Sequence, residues 1–267
     1  MEMREIGIGI KRALDEGLCK REDLFIIGKV WIYFRDDPEK ALKETLKKLQ
    51  LDYIDLYLDH WPSCIDHRKK EDDISNDKLS FKMVSIYDFW PKMEALVEKK
   101  VYGKPLARAI GVSNYNIQCL SNLLSFCKIR PVVNQVEFHL FYIQKSLKEF
   151  CDKENIAIIS YYPMPLGYYA RNFIRGNPGT EFDIFQDSYL KKLAEKYNKT
   201  AGQIILNWHY LMGCIPIPST SKINRFEENL ASFDFELEKE DFEELSRHFP
   251  LKKFYRCKKF FGINILA

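Results

Sequence analysis

An α/β fold built on a parallel sheet is predicted by the alternation of two kinds of segment along the chain. Short apolar runs, rich in β-branched residues, alternate with longer segments whose apolar residues recur at helical spacing. The short runs are apolar enough to be covered on both faces, as strands packed between helices are. Parallel strands joined by right-handed helical crossovers account for both observations.

Six runs are predicted to be strands, with turn residues at their joints. They are residues 24–31, 54–61, 107–114, 131–139, 156–163 and 214–220. The chain itself begins in a helical segment, 5–16, with no strand ahead of it.

Sequence signals for helix N-termini recur between these runs. They are Asp37 followed by Pro38, the capping-box pair Thr200 and Gln203, and the similar pair Asn224 and Glu227. After the first signal, Leu42, Leu46 and Leu49 lie on one helical face.

Two parallel architectures remain open at this point, the doubly wound sheet and the eight-stranded (β/α) barrel of about 250 residues. No GxGxxG motif follows any predicted strand, which counts against a dinucleotide-binding doubly wound sheet. A closed barrel needs eight strands, whereas six are predicted. No linker or repeat divides the chain, so residues 1–267 are expected to form a single domain.

Composition and charge exclude several function classes. The 267 residues carry a net charge of only +3, with basic and acidic residues intermixed, which argues against a nucleic-acid partner. No apolar run is long enough to span a bilayer, and residues 1–5 do not resemble a secretory signal. The seven cysteines are scattered and form no CxxC pair, which favours reduced thiols over a metal site. We therefore expect a cytoplasmic protein with no membrane partner and no metal.

Unusual polar residues lie near the carboxyl ends of the predicted strands, where barrel enzymes carry their chemistry. Lys29 lies inside an apolar run, where a buried lysine is costly unless it is paired, and His60 ends the next run. A lone histidine usually only packs, and a lysine on an edge strand can reach water. At a barrel mouth, however, both residue types suit catalysis.

Ser113, Asn114, Gln135 and Tyr161 end successive strands. Asn and Gln present the donor and acceptor that a carboxamide requires, and tyrosine offers a flat face for stacking. Together they predict a site for a planar, amide-bearing ring. Residues 219–229 join the last strand to a helix that carries Arg225, and hydroxyls with an arginine there suit a phosphate.

The chain resembles the aldo-keto reductases of the aldose and aldehyde reductase branch. The stretches that carry the resemblance span nearly the whole chain in the family's order. They are DEGLCKREDLFIIGKVW, LQLDYIDLYLDHWP, ARAIGVSNYN, KIRPVVNQVEFH, IAIISYYPMPLG and IPIPSTSKINRFEENLASFDFELEKED.

The resemblance implies a (β/α)8 barrel that binds NADPH, with NADH possible, and reduces small carbonyl substrates to alcohols, acting as a monomer. It makes Lys29 and His60 catalytic, and it makes Trp31 and Trp61 walls of the substrate pocket. The positions that match cofactor-binding residues are Ser113, Asn114, Gln135, Tyr161, Ser219, Thr220, Arg225, Glu228 and Asn229.

Departures from the family pattern modify these expectations. Aligned by its first helix, the chain starts after the family's first two strands and after its catalytic Asp and Tyr. Asp59 stands where an apolar residue is usual, and Ser219 replaces a lysine that contacts the 2′-phosphate. We expect Asp59 to point away from the barrel interior into the helix layer.

Three hypotheses follow. The first is a reductase sequence that lacks its N-terminal segment, with turnover reduced roughly 10²- to 10⁴-fold by the missing acid. The second is a non-catalytic descendant that still binds a nucleotide. The third is a fragment that does not fold stably alone, because six strands cannot close the barrel.

Overall fold

The computed structural model describes residues 3–64, 82–101, 103–165 and 183–254. The predicted α/β class is confirmed, because strands alternate with helices along the chain and the ladders between main strands are parallel. The chain divides into two compact units, one within Met1–Asn134 and one formed by Gln135–Arg256.

The first unit holds helices α1 to α4 and strands β1 to β5. The helices are α1 (Met3–Asp15), α2 (Pro38–Leu49), α3 (Ile86–Glu98) and α4 (Ile117–Leu124). The strands are β1 (Ile27–Val30), β2 (Ile54–Asp59), β3 (Lys100–Val101), β4 (Lys104–Pro105) and β5 (Ala107–Ser113). Strands β1, β2 and β5 pair in parallel in that order, whereas β3 and β4 form a small antiparallel hairpin. Strand β6 (Val133–Glu137) starts in this unit and ends in the second.

The second unit holds helices α5 to α9 and strands β7 and β8. The helices are α5 (Lys145–Lys153), α6 (Ser188–Tyr197), α7 (Ala201–Leu211), α8 (Asn224–Leu230) and α9 (Lys239–His248). The strands are β7 (Ala157–Tyr161) and β8 (Cys214–Pro216), which pair in parallel.

Each of the six predicted runs contains a strand, but each strand is shorter than its run. The largest differences are at the start of the first run, where the strand begins at Ile27, and at the end of the last run, where it stops at Pro216. Apolar residues extend past the assigned strand ends at both places, so composition alone overestimates strand length. The hairpin β3–β4 was not predicted.

Two of the three predicted helix N-termini are confirmed. The Asp37 side chain accepts from Lys40 N at 3.1 Å, and Thr200 and Gln203 form both hydrogen bonds of a capping box. The third prediction, that Asn224 and Glu227 begin a helix as a capping pair, was wrong. Ile223 already has helical angles, φ −58° and ψ −45°, so Asn224 lies inside α8 and no side chain caps that helix.

The core of the first unit lies between the sheet and helices α2 and α3. Strand β2 is buried along its whole length. Leu42 and Leu46 of α2 are buried, as the helical pattern predicted, and so are Phe89 and Trp90 of α3. Burial of these large side chains supplies the main favourable free energy of folding for this unit.

Helix α1 packs against α2 through a glycine. A Cβ atom added to Gly7 would lie 2.3 Å from the carbonyl oxygen of Lys48 and 2.8 Å from Leu49 Cα. Both are backbone atoms, which cannot move aside without moving helix α2. Gly9, two residues later on the same helix, has no atom within 4 Å of the equivalent position.

We expect Gly7→Ala to lower the free energy of unfolding by about 1–3 kcal/mol, the usual cost of overpacking a close contact. Gly9→Ala is the matched control, and it should be neutral or stabilising by up to about 1 kcal/mol, because alanine favours helix. Urea denaturation of both variants measures the difference. Equal effects of the two substitutions would show that α1 does not pack on α2 as described.

Candidate active site

Lys29 and His60 lie at the same edge of the parallel sheet in the first unit. Lys29 is the third residue of β1 and is opposite Leu58 in the register with β2. His60 follows β2 directly, and its backbone N–H donates to Val30 O at 3.3 Å. The carboxyl ends of the two strands therefore bring both predicted catalytic residues to one place.

Burial sets the protonation of both residues, and the charge of Lys29 also acts on His60. Burial lowers the pKa of Lys29 to about 8. Burial, and then the positive charge of Lys29, lower the pKa of His60 to about 3. At neutral pH the imidazole is uncharged, while most Lys29 side chains remain ammonium ions.

Two indole rings border His60. Trp31 meets the imidazole edge-on, with ring centroids 4.8 Å apart, and Trp61 lies nearly parallel to it at 6.1 Å. Trp61 is buried and Trp31 is partly exposed. The structure thus brings both residues predicted as pocket walls next to the predicted catalytic histidine.

Ser113 and Asn114 complete this cluster from the end of β5. Asn114 Nδ2 donates to the backbone oxygen of His60 at 2.9 Å and to Ser113 Oγ at 3.2 Å. Asn114 has a φ of 63°, in the left-handed region that asparagine tolerates better than most residues. Its amide therefore links the end of β5 to the end of β2.

Asp59, the unusual residue before His60, has two buried partners. Its Oδ2 accepts from Tyr115 Oη at 2.6 Å and from Arg35 Nε at 3.1 Å. Arg35 also stacks over the Phe89 ring of α3 at 4.3 Å, so the predicted direction of Asp59 toward the helices is confirmed. Burial, and then the charge of Asp59, raise the pKa of Tyr115 well above its usual value, so its hydroxyl stays a donor.

Gln135 and Tyr161 belong to the second unit. Gln135 is buried within β6, and the partly exposed Tyr161 is the last residue of β7. Tyr161 ends its strand as predicted, whereas Gln135 is the middle residue of β6, because the ladder continues to Glu137.

The remaining predicted cofactor residues line one cleft of about 310 Å³ in the second unit. The predicted residues on its wall are Ser219, Thr220, Arg225, Glu228 and Asn229. Glu228 is held by Thr200 Oγ1, which donates to its Oε1 at 2.7 Å, and by Gln203 Nε2, which donates to its backbone oxygen at 3.0 Å. Both of these contacts to Glu228 come from neutral side chains.

Several wall residues of this cleft were not predicted. They are Met164, Phe185, Thr200, Ala201 and Gly202. The small pair Ala201-Gly202 in the first turn of α7 leaves space there, and the capping box that begins this helix was the available signal. Phe185 comes from a separate short 3₁₀ turn, and no local pattern connects it to residues 219–229.

The family model described as "Aldo/keto reductase family" matches residues 5–249. The chain belongs to the aldo-keto reductase family. Aldose reductase B of Dictyostelium discoideum is 36% identical over 254 residues, which cover 92% of this chain and 76% of that protein. NADPH-dependent D-xylose reductase of Meyerozyma guilliermondii is 37% identical, over 91% of this chain and 78% of its own length.

Solved aldo-keto reductase structures share the fold. A Bombyx mori aldo-keto reductase in complex with NADP superimposes with a TM-score of 0.84 at 33% identity, covering 99% of this chain and 80% of that one. The aldose reductase of Schistosoma japonicum gives 0.84 at 30% identity, covering 99% and 81%. The predicted (β/α)8 barrel class is thus confirmed, and the family assignment makes the chain an oxidoreductase.

Among the described residues, none of the helices combines the length and apolar character needed to cross a bilayer.

The electrostatic coupling of Lys29 and His60 is directly testable. Lys29→Met removes the charge but keeps the length of the side chain, so we expect the pKa of His60 to rise. The rise should be about one unit, because a nearby charge in a partly buried site is worth on the order of 1–2 kcal/mol. NMR titration of the His60 ring protons measures it.

Lys148→Met is the control, because Lys148 is also largely covered but bonds to Asp152 on α5 in the second unit. It should leave the His60 titration unchanged. A His60 that titrates near pH 6.5 in the unmodified protein would contradict the described burial.

Proposed function

We propose that this aldo-keto reductase uses NADPH to reduce aldehydes, including open-chain aldoses, to alcohols. The observation that carries the proposal is the placement of Lys29 and His60 at adjoining carboxyl ends of β1 and β2, beside Trp31 and Trp61. A cation next to an uncharged hydrogen-bond donor is suited to a carbonyl oxygen that gains negative charge. The names of the similar aldose and xylose reductases support the substrate class.

The residues of the cleft fit the phosphate of NADPH. Among the described residues, no carboxylate forms an ion pair with the Arg225 guanidinium, which lies exposed beside the Ser219 and Thr220 hydroxyls. An unpaired guanidinium with neighbouring hydroxyls is a suitable donor set for a phosphate dianion. We therefore propose that these three residues hold the 2′-phosphate and that Glu228 and Asn229 contact the adenosine.

The nicotinamide end is proposed to use the other predicted residues. Ser113, Asn114 and Gln135 offer the hydroxyl and amide groups that match a carboxamide, and Tyr161 offers its ring for stacking. When bound, NADPH supplies the hydride that reaches the carbonyl carbon.

The chain's own residues act on the carbonyl oxygen. Neutral His60 donates a hydrogen bond to that oxygen and orients the substrate, because its low pKa keeps the imidazole uncharged. Lys29 stabilises the developing negative charge and transfers a proton from Nζ to the oxygen. An ammonium whose pKa is about 8 releases its proton far more readily than an ordinary lysine, so it can serve as the acid near neutral pH.

The acid role of Lys29 is specific to this proposal. The resemblance assigns that role to a tyrosine that has no match within residues 1–267. For residues 1–267 assayed on their own, with Lys29 as the acid, we propose turnover about 10²- to 10⁴-fold slower than with the full set of groups, the usual contribution of a positioned acid.

We expect NADPH oxidation by the purified chain with D-xylose or short aldehydes, followed by absorbance, to fall as the pH rises through about 8. The sign follows from the ammonium form being the donor, which Lys29 loses above its lowered pKa. Lys29→Met should abolish turnover, whereas Lys148→Met should retain it. A rate that is constant from pH 6 to pH 9 would contradict Lys29 as the acid.

NADPH binding without reduction of any aldehyde would instead support a nucleotide-binding protein that has lost catalysis. Fluorescence quenching by NADPH reports binding independently of turnover, so the same preparation distinguishes the two functions.

Arg225→Met tests the phosphate site. We expect it to weaken NADPH binding at least tenfold, because a charge-assisted contact of this kind contributes about 1.5–3 kcal/mol. NADH, which lacks the 2′-phosphate, should bind the variant as it binds the unmodified protein.

Arg247→Met is the control, since Arg247 is an exposed arginine of α9 that pairs with Glu244 and lies outside the cleft wall. It should change neither affinity. Equal weakening of NADPH and NADH by Arg225→Met would show that Arg225 does not read the phosphate.

A further inference from the structure

Three polar residues of the first unit are each the chain neighbour of a proposed site residue. Asp59 precedes His60, Tyr115 follows Asn114, and Asn134 precedes Gln135. Consecutive residues of a strand point to opposite faces of the sheet. This alternation applies to Asp59 at the end of β2 and to Asn134 within β6, whereas Tyr115 follows β5 and reaches Asp59 after the left-handed backbone of Asn114.

These neighbours join with Arg35 into one hydrogen-bonded group. Asp59 Oδ2 accepts from Tyr115 Oη at 2.6 Å and from Arg35 Nε at 3.1 Å. The side chain of Asn134 forms two hydrogen bonds with the backbone of Tyr115. Its Oδ1 accepts from Tyr115 N at 3.3 Å, and its Nδ2 donates to Tyr115 O at 2.8 Å. We call Arg35, Asp59, Tyr115 and Asn134 the polar belt.

The polar belt is buried and anchored at its Arg35 end. Its four members are at most 3% exposed. Arg35 Nη1 donates to Val84 O at 2.7 Å, and the guanidinium lies over the Phe89 ring of α3. Contacts inside a buried group of this kind are rigid, because water cannot replace any of them.

We propose that the polar belt is a positioning device that holds His60 and Asn114 in register for the reductase reaction proposed above. It ties the end of β2, through Asp59, to the residue that follows Asn114 at the end of β5. On the site side, Asn114 Nδ2 ties the same two strand ends through the backbone oxygen of His60. The two strand ends are thus fastened on both faces of the sheet.

The backbone conformation of Asn114 is unfavourable, so additional contacts are needed to hold the turn at the end of β5. Asn114 is the turning point between β5 and Tyr115, and its φ of 63° is less favourable than a strand conformation for any residue with a side chain. Fixing Tyr115 by its hydroxyl and by both backbone hydrogen bonds to Asn134 keeps this turn in place. Without that constraint, the amide of Asn114 would lose its fixed distance to His60.

Tyr115→Phe tests the proposal, because it removes one hydroxyl and keeps the ring. We expect a fall in kcat of about 10- to 100-fold, the range produced by small misplacements of catalytic groups. NADPH binding should weaken through Asn114, and the pKa of His60 in the cofactor-free protein should rise toward its ordinary value as the imidazole gains solvent.

Tyr197→Phe is the matched control. Its hydroxyl also donates to a carboxylate, Asp241, but in the second unit and outside the proposed site. It can lower stability, yet kcat, KM, NADPH affinity and the His60 titration should stay unchanged in the folded protein.

Two further variants distinguish an effect on the site from simple loss of folding. Arg35→Met combined with Asp59→Leu removes both charges together and fills similar volume, an exchange that buried ion pairs often tolerate. It should fold and reproduce the defects of Tyr115→Phe. Asp59→Asn keeps an oxygen that can accept both hydrogen bonds but leaves the buried Arg35 charge uncompensated, so it should lower stability. In the folded protein its kcat should stay within a few-fold of the unmodified value.

The proposal is overturned if folded Tyr115→Phe and the double variant both keep the unmodified kcat, KM and His60 titration. If the unmodified protein binds no NADPH and reduces no aldehyde, the proposed function fails. The His60 titration still decides the role of the polar belt in that case, since a purely structural group would not move it.

Discussion

The two-residue alternation of the parallel strands is the constraint on which the site depends. Lys29 pairs with Leu58 and Val30 with Asp59, while Asp59 pairs in turn with Val112. This register brings Lys29 and His60 together and directs Asp59 to the side of helix α3. A slip of one residue would exchange the two faces and place the Asp59 carboxylate where the imidazole now lies.

Lys29 on β1 and Asp59 on β2 carry opposite charges on opposite faces of the same sheet, and the fold accommodates each charge differently. Lys29 remains partly exposed, and burial lowers its pKa to about 8, so loss of a proton is easy. Asp59 is almost fully buried and is accommodated by a guanidinium and a hydroxyl. An unpaired carboxylate at that depth would be strongly destabilising, so Asp59 depends on the counter-charge of Arg35, and Tyr115 adds a second donor. The charge of Lys29, proposed to be catalytic, is thereby left adjustable, whereas the charge of Asp59 is fixed by its partners.

The sequence predicted the existence and order of the main strands because apolar runs report burial, which is a property of each residue. It predicted their ends less well, since pairing depends on the neighbouring strand. The partners of Asp59 were not predictable, because Arg35 is 24 residues away and Tyr115 is 56 residues away. The pair Asn224 and Glu227 had the right local pattern, but Ile223 extended the helix backwards.

Ser219 stands where the family pattern has a lysine, and this difference lowers the positive charge of the cleft wall. Of the described residues on the cleft wall, Arg225 is the cation and Glu228 is the anion, so their formal charges cancel. A phosphate dianion is then attracted mainly by the short-range, bidentate geometry of the guanidinium, and little by the net charge of the wall. Thr200, by donating to Glu228 Oε1, withdraws part of the negative charge from the opening. In the proposed cofactor site, discrimination between NADPH and NADH therefore rests on one arginine, and added salt should weaken it less than it would weaken a site with two cations, because fewer charges are screened.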